Sequence, residues 1–445
     1  MAKLATMFST FAMGGIHPPD SKQYTKDLPI EIMPAPRQLS IPLNMQIMTP
    51  VAPMEALVDK KAQVSEGQLI GRPVFPLGVN IHAGVSGTVK AVEPVSHHML
   101  LRVPGVVVET DSAAPAKEWL PRDWQSVSGE QILAEIKEAG IVGMGGAGFP
   151  THMKLSPPPS MKVDTLLINA AECEPYLTCD YRLMLEEPAK LLDGTRMMMK
   201  VLGVENAYIG IEDNKPLAVK ALEEAMTVEH DGIGLAVLKV KYPQGSEKQL
   251  IQAVLHRVVP DGGLPAAVGA VVQNVGTTVA VYEAVAMGKP LYERVLTVSG
   301  KGIKRQANLK VKLGVSLQDI VDFLGGTTAD LAKVVLGGPM MGLSVSDLSI
   351  PVTKTFSGIL FLSKDEIALG DYGPCIRCGR CIAACPMGLN PMEAALYTEA
   401  EHYADALAHG VRSCFECGSC AYVCPAGRPL VQFMKLAKLK NPIKK

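Results

Sequence analysis

Hydrophobic and polar positions change period several times along this chain, and each change marks a different kind of element. Between residues 38 and 110, short β-rich runs alternate with glycine turns such as Val64-Ser-Glu-Gly67-Gln68 and Gly84-Val-Ser-Gly87-Thr88-Val89. That pattern predicts a small β-sandwich. Gln131–Gly140 carries apolar residues at helical spacing. Asp164–Ile168 and Val237–Tyr242 read as strands, and Gln244-Gly245-Ser246-Glu247 reads as a turn opening a helix. Residues 293–345 read strand, turn, helix, strand, through Val295–Ser299, Ser316–Leu324 and Val334–Leu336. Beyond Asn390, Met392, Ala395, Leu396, Tyr403 and Leu407 return to roughly helical spacing, as do Leu430, Phe433, Met434, Leu436 and Leu439. The result is a multi-domain α+β chain, as its 445 residues also suggest.

No apolar run reaches the roughly 18–20 residues that cross a bilayer. The most apolar stretch, Leu264–Val272, is soon broken by Gln273 and Asn274. The opening MAKLATMFSTFAMGG has one charged residue, no sustained apolar core and no clean cleavage site, so it reads as mature sequence. A cytoplasmic protein is expected, with any membrane attachment peripheral or through partners. The formal net charge of -1 leaves no electrostatic footprint for nucleic acid.

Eight of the ten cysteines lie between Cys375 and Cys424. A secreted disulfide framework would spread them more widely. They form two copies of one run: Cys375-Ile-Arg-Cys378-Gly-Arg-Cys381-Ile-Ala-Ala-Cys385-Pro386 and Cys414-Phe-Glu-Cys417-Gly-Ser-Cys420-Ala-Tyr-Val-Cys424-Pro425. This is the C-x2-C-x2-C-x3-C-P spacing of proteins with two [4Fe–4S] clusters. Three close thiolates wrap one face of a cubane, and the fourth points away to the other cluster. Cys375, Cys378, Cys381 and Cys424 are assigned to one cluster. Cys414, Cys417, Cys420 and Cys385 are assigned to the other. Zinc also uses paired C-x2-C, but has no need of a third cysteine and a proline repeated in register. Gly379 and Gly418 keep the loops clear of side chains near the inorganic core. Cys173 and Cys179 stand apart; packing is the expected role, with an additional ligand role as the alternative.

Gly143-Met-Gly145-Gly146-Ala147-Gly148 formally matches G-x-G-x-x-G, but a helical segment precedes it and Phe149-Pro150 follows at once. The dinucleotide fingerprint needs a strand before and a long helix after. Bare backbone amides next to Phe149, Thr151 and Lys154 suit a phosphate and a flat ring. Carboxylates follow the next strand at Glu172, Glu174 and Asp180, where they can meet ribose hydroxyls or form only a solvated acidic loop.

GGAGFPTHMK followed by NAAECEP resembles the flavin- and NADH-binding subunit of respiratory complex I. With Phe11–Pro19 and Asp261-Gly262-Gly263-Leu264-Pro265 added, the chain resembles more closely the C subunit of the Rnf ion-translocating electron-transport complex. The resemblance covers essentially the whole chain, in the family's order. It implies noncovalent FMN beside an NAD(H) site. Gly143, Gly145, Gly146, Ala147, Gly148, Lys154 and Asn169 would line the flavin, and Phe149 would stack. Glu172 and Glu174 would meet the flavin or nicotinamide and act as the catalytic pair. Asp180 and Glu247 would serve the nucleotide. Asn274 and Thr277 would hold the FMN phosphate and ring. Ala171, Ser246 and Gln273 depart from the complex I pattern, where two acids and an asparagine stand.

The fold so implied has five parts: an N-terminal arm over 1–37, a lipoyl-like β-sandwich over 38–118, a complex I-type flavin α/β domain over 119–290, a β-grasp domain over 291–350, and an α-helical two-cluster ferredoxin domain with a basic tail over 351–445. The sandwich lacks a lipoyl lysine, since Pro73–Ile81 contains none. His82, His97 and His98 have no paired ligand spacing and are expected to be surface or turn histidines. Gly337–Gly342 reads as a structural turn with Met340 and Met341 packed under it. The tail from Arg428 to Lys445 has six basic residues and no acid. It reads either as an amphipathic cap on the cluster domain or as a contact with membrane partners or headgroups.

The function implied is a peripheral NAD(H)/FMN subunit on the cytoplasmic face of a membrane-bound, ion-translocating ferredoxin:NAD+ oxidoreductase. Its partners would be the other subunits, a ferredoxin-like iron–sulfur protein among them. The alternatives are a soluble flavoenzyme of the cobalamin-reductase type, whose flavin motif lies nearer the N-terminus, and a pure electron carrier.

Overall fold

The structure, a computed structural model, describes residues 9–46, 53–368 and 370–441. Residues 1–8 of the opening segment and the last four residues of the basic tail lie outside the described residues.

The arm ends in a short strand, β1 (Ile30–Ile32). The sandwich follows with β2 (Gln38–Pro42), β3 (Met54–Ala56), β4 (Gln63–Val64), β5 (Leu69–Pro73), β6 (Ile81–His82), β7 (Gly87–His97) and β8 (Leu101–Thr110). They form one sheet in the order β2-β8-β7-β4 and another in the order β3-β5-β6.

Ser128 then opens α1 (Gly129–Glu138) with a reciprocal cap: its hydroxyl accepts the Gln131 amide while the Gln131 side chain accepts the Ser128 amide. Ile132 and Ile136, one turn apart, bury the inner face of α1. The glycine-rich segment runs from α1 to a one-turn helix, α2 (Thr151–Lys154). A doubly covered parallel sheet comes next: β9 (Thr165–Ala170), α3 (Cys179–Glu186), α4 (Pro188–Leu202), β10 (Asn206–Glu212), α5 (Pro216–Ala225), β11 (Ile233–Leu238), α6 (Glu247–Leu255), β12 (Ala270–Asn274) and α7 (Val275–Met287). Its order is β11-β10-β9-β12, all parallel. The chain leaves β9 in one direction for β10 and returns on the other side as β12. The crevice between β9 and β12 is thus the topological switch point, where open parallel sheets bind ligands beyond the strand ends. Asn169 and Asn274 pair across that crevice.

The third unit contains β13 (Glu293–Ser299), β14 (Ala307–Lys312), α8 (Leu317–Phe323), β15 (Leu331–Leu336), β16 (Leu343–Val345) and β17 (Gly358–Ser363). Its six-stranded sheet, β1-β14-β13-β17-β15-β16, crosses two of the expected boundaries. The arm supplies the edge strand β1, parallel to β14. β17, expected in the cluster domain, inserts between β13 and β15 with six buried residues. A run as apolar as Gly358-Ile-Leu-Phe-Leu-Ser363 needs a central position in a sheet. The sandwich and this sheet also share one core, in which Leu39, Ile41 and Leu43 join Leu296, Leu309 and Phe361.

The histidines depart from expectation for the same reason. His82 and His97 are buried, and the His98 ring stands edge-on to Phe356 at 4.8 Å between centroids. Closure of the shared core takes them out of solvent.

The last unit is helical: α9 (Arg380–Ala383), α10 (Pro391–Glu399), α11 (Tyr403–Ala408), α12 (Ser419–Tyr422) and α13 (Leu430–Lys440). Leu430, Val431, Met434 and Ala437 of α13 are buried against Ala394, Ala395 and Ala406. The apolar face of the tail is therefore spent inside the cluster unit, as a cap. Among the described residues no helix is long and apolar enough to cross a membrane.

Candidate cofactor sites and the contact between them

The glycine-rich loop closes over the switch point. The Met144 amide donates to Thr277 Oγ1 at 2.9 Å, and that hydroxyl donates back to the Val142 carbonyl at 3.2 Å. A Cβ on Gly145 would stand 3.1 Å from the Asn274 side chain, whereas one on Gly146 would meet nothing within 4 Å. Gly145, Gly146 and Ala147 are exposed, and so is the Phe149 ring. Gly148 is buried with φ +76°, and a Cβ there would come within 2.9 Å of Thr355. Lys154 pairs with Glu247. Asn169 Nδ2 donates to the Gly245 carbonyl at 2.6 Å. Asn274 Oδ1 accepts from the Thr277 amide and Nδ2 donates to Asp180 at 2.7 Å. The structure thus gathers Gly145–Ala147, Lys154, Asn169, Glu247, Asn274 and Thr277 around one crevice. Exposed amides, an ammonium and an aromatic face are a suitable donor set for a flavin phosphate and ring.

The two glutamates differ. Glu172 is buried; one oxygen accepts from the Asp180 amide at 2.7 Å, while Oε2 has no hydrogen-bond donor and sits 3.9 Å from Lys22 Nζ. Burial pushes its carboxyl up to about 7, against the pull of Lys22. A buried acceptor left open in this way is a mark of a site built for a ligand donor. The Glu174 carboxylate accepts the Met340 and Met341 amides at 3.0 and 2.9 Å and so holds the Gly337–Gly342 turn. Met340 packs inward with the cluster loops, whereas Met341 is exposed.

Lys22, from the arm, was not singled out by the sequence. Its ammonium is buried and donates to the carbonyls of Glu172, Glu174 and Leu177 at 2.8, 3.0 and 2.5 Å. No sequence signal marks it, because its partners lie some 150 residues away.

The cysteines line two cavities. One is lined by Cys375, Cys378, Cys381 and Cys424, the other by Cys385, Cys414, Cys417 and Cys420. Each has three cysteines of one run and the last of the other. Burial pushes the Cys414 thiol up to about 11 and raises Cys381, Cys417 and Cys420. Such thiols become ligands when a metal supplies the positive charge, and this donor set fits iron–sulfur clusters.

The two cavities are not equivalent. Tyr242 donates its hydroxyl to the Cys417 carbonyl at 2.7 Å, and Gln249 Nε2 donates to the Pro386 carbonyl at 3.2 Å. Ile16, Tyr242, Ala384 and Cys417 form one buried cluster with Cys173 and Met340 packed on it. Cys173 Sγ in turn accepts the Gly245 amide at 3.3 Å, beside Asn169. One chain of contacts thus runs from the glycine-loop crevice through Cys173 and Tyr242 to the cavity at Cys417. Cys179 lies elsewhere, donating to the Ser357 carbonyl within the core.

Residues 136–283 match the Nuo51 FMN-binding domain, 10–113 the RnfC barrel sandwich hybrid domain, 295–344 the SLBB domain and 368–425 the 4Fe-4S dicluster domain. The C subunit of the proton-translocating ferredoxin:NAD(+) oxidoreductase complex of Clostridium ljungdahlii is 46% identical over 96% of this chain and 93% of its own. Its Na(+)-translocating counterpart from Acetobacterium woodii is 42% identical over 96% of both chains. This chain belongs to the RnfC family, the C subunits of ion-translocating ferredoxin:NAD(+) oxidoreductase complexes. An NAD+-reducing [NiFe]-hydrogenase in the H2-reduced state shares the fold at 20% identity, with a TM-score of 0.52 over 70% of this chain and 63% of the other.

In this member of the RnfC family the arm completes the inter-domain contact. Gly15 N donates to the Ala384 carbonyl at 3.0 Å, and Gly14, at φ +63°, lies so close that a Cβ would stand 2.4 Å from the Cys385 carbonyl oxygen. Gly14→Val should push the arm off this loop, at a cost of at least about 2 kcal/mol from strain and overlap. The expected result is loss of iron from the Cys385–Cys417 site with the other site kept, read by iron content and EPR. Full retention of both signals would contradict this role for the arm.

Proposed function

We propose that this chain is the peripheral NAD(H)-reactive subunit of its complex, exchanging electrons between a dinucleotide and one-electron partners. When bound, FMN exchanges an electron pair with NAD(H) and single electrons with [4Fe–4S] clusters. The chain's own residues do the positioning. Gly143–Gly148, Lys154, Asn169, Asn274 and Thr277 would hold the flavin, with Phe149 free to stack and Glu247 beside the nucleotide. Glu172 would present its open oxygen to a donor on the flavin or nicotinamide, braced by Lys22, while Asp180 orients Asn274.

One observation carries this reading: the contact from the glycine-loop crevice through Cys173 and Tyr242 to Cys417. It orders the relay. The Cys385/Cys414/Cys417/Cys420 site is inner, next to the flavin crevice, and the Cys375/Cys378/Cys381/Cys424 site is outer. The sandwich without its lysine supports a lipoyl-like scaffold, the six-stranded sheet with α8 a β-grasp unit, and the helices around the clusters an α-helical ferredoxin type. With no spanning helix among the described residues, ion passage falls to other subunits, and this one would sit on the cytoplasmic face of the membrane beside them.

The test is FMN content and NADH-dependent flavin bleaching of the purified chain. Near-stoichiometric FMN, bleached within one turnover, is expected. Glu172→Ala should keep the flavin and lose at least about tenfold in bleaching rate, the scale of one lost transition-state contact. Intact clusters with no flavin and no bleaching would defeat the reading.

A further inference from the structure

The two cysteine runs are internal copies, and their surroundings can be compared position by position. In the second run, Phe415 packs on the buried inter-domain cluster. Glu416 is paired with Lys435 and Lys438. Gly418 is buried, and a Cβ there would meet the Met340 carbonyl oxygen at 2.8 Å. This face of the inner site is closed by the rest of the chain.

The equivalent positions of the first run are open. Ile376, in the place of Phe415, is 65% exposed. Arg377 replaces Glu416, and Arg380 replaces Ser419; both are exposed, and neither side chain has an ion-pair or hydrogen-bond partner among the described residues. A Cβ on Gly379, the counterpart of Gly418, would meet nothing within 4 Å. After the exchanged fourth ligands the runs swap roles: Gly388, following Cys385 of the inner site, abuts Met13 of the arm, whereas Gly427, following Cys424 of the outer site, has nothing within 4 Å. Ile382 is exposed on α9. Cys378 is the exposed ligand of the outer site, while its counterpart Cys417 is buried.

The inner run therefore shows what such a face does when it is used: it docks the unit with which the cluster exchanges electrons. We propose that the outer face, centred on Ile376, Arg377, Arg380 and Ile382, docks an acidic iron–sulfur protein. This rests on the relay order proposed above. Exposed isoleucines flanked by two unpaired guanidiniums suit a partner with an apolar centre and a carboxylate rim. The step moves one electron and no atom: the partner's cluster gains the electron that the outer cluster loses, or the reverse.

The test uses the full holo-chain, with a reduced, acidic two-[4Fe–4S] ferredoxin as probe and cluster reduction followed by stopped-flow. Wild type should be reduced fast at low salt and steeply slower at high salt. Arg377→Glu/Arg380→Glu should be at least about tenfold slower at low salt and lose the salt dependence. Reduced methyl viologen, which needs no docking face, should reduce both proteins equally. Ile382→Asp, outside the Cys375–Cys378 loop, provides a second variant should the double change disturb the cluster, as judged by iron content and EPR. The proposal is overturned if ferredoxin does not reduce wild type, if salt has no effect, if the variants are as fast as wild type, or if methyl viologen slows in parallel. Failure of the flavin reading would look different: no bleaching by NADH, with ferredoxin still reducing the clusters.

Discussion

Cys417→Ala should leave a protein whose remaining cluster can be reduced by dithionite but not by NADH. Cys375→Ala should leave one whose remaining cluster is still reduced by NADH. Each change removes a ligand from one cavity only, so about half the iron should be lost in either case. What separates the two variants is position. The cavity at Cys417 is joined to the glycine-loop crevice, the proposed flavin site, by Tyr242, Cys173 and Gly245, through contacts of 2.7 and 3.3 Å. Among the described residues the cavity at Cys375 has no such contact, and it lies towards solvent, with Cys378 exposed. Loss of the inner cluster interrupts the relay, whereas loss of the outer one only shortens it. Freeze-quench EPR after one addition of NADH reads the difference, while flavin bleaching should persist in both. If NADH reduced the surviving cluster equally in both variants, the relay order would be wrong.

Acidification should loosen the β-sandwich well before the parallel sheet of β9–β12. Burial holds His82 at about 3, with the Lys354 ammonium adding to the effect. It holds His97 at about 4 and His98, beside His97, at about 3. In the unfolded chain each imidazole takes its proton near 6.5. The folded state refuses protons that the unfolded state binds, so stability is complete above 6.5 and is lost as pH falls. At pH 4.5 each histidine should cost roughly 2–3 kcal/mol. Protonation would also remove the acceptor at His97 Nδ1, which takes the Met99 and Leu100 amides at 3.2 Å.

Glu172 and Glu174 act in the opposite direction. Raised to about 7 by burial, they take up protons on folding and favour the native state as pH falls towards 4.5. Whole-chain unfolding temperature would mix the two effects, so the measurement is local hydrogen exchange between pH 7 and 4.5. Exchange in β7 and β8 should rise more steeply than in β9–β12. His98→Phe should lessen that rise, since its ring would still meet Phe356. An unchanged rise after replacing all three histidines would refute the assignment.

Much of the chemistry was legible because it is local. The cysteine spacing encodes two ligand loops with exchanged fourth ligands, and two cavities with that grouping form in the fold. The helix before Gly143 and the proline at 150 argued correctly against a dinucleotide fingerprint. The glycine turn over Gly145–Gly148 and the strand ending at Asn169 also read directly, whereas Asn274 came only through the family resemblance. Long-range partners did not. Lys22 reaches carbonyls some 150 residues away, β17 crossed an expected boundary, and two histidines expected at the surface or in turns, His82 and His97, are buried. Glu174 looked like the twin of Glu172, yet it serves a turn at residues 337–342.

By itself, the sequence determined two runs of four thiols at cluster spacing and a bare glycine loop between a helix and a proline; the lysine, asparagines and carboxylates around that loop came as expectations from the family resemblance. The runs and the loop follow from residue type and spacing over about ten positions. Only the tertiary structure decided which of these groups lie next to one another. It placed Tyr242 against Cys417, set Gly14 beside Cys385, and buried Cys417 while leaving its counterpart Cys378 exposed. Those contacts join residues more than a hundred positions apart, and their energies arise from burial and close packing, which no local pattern records.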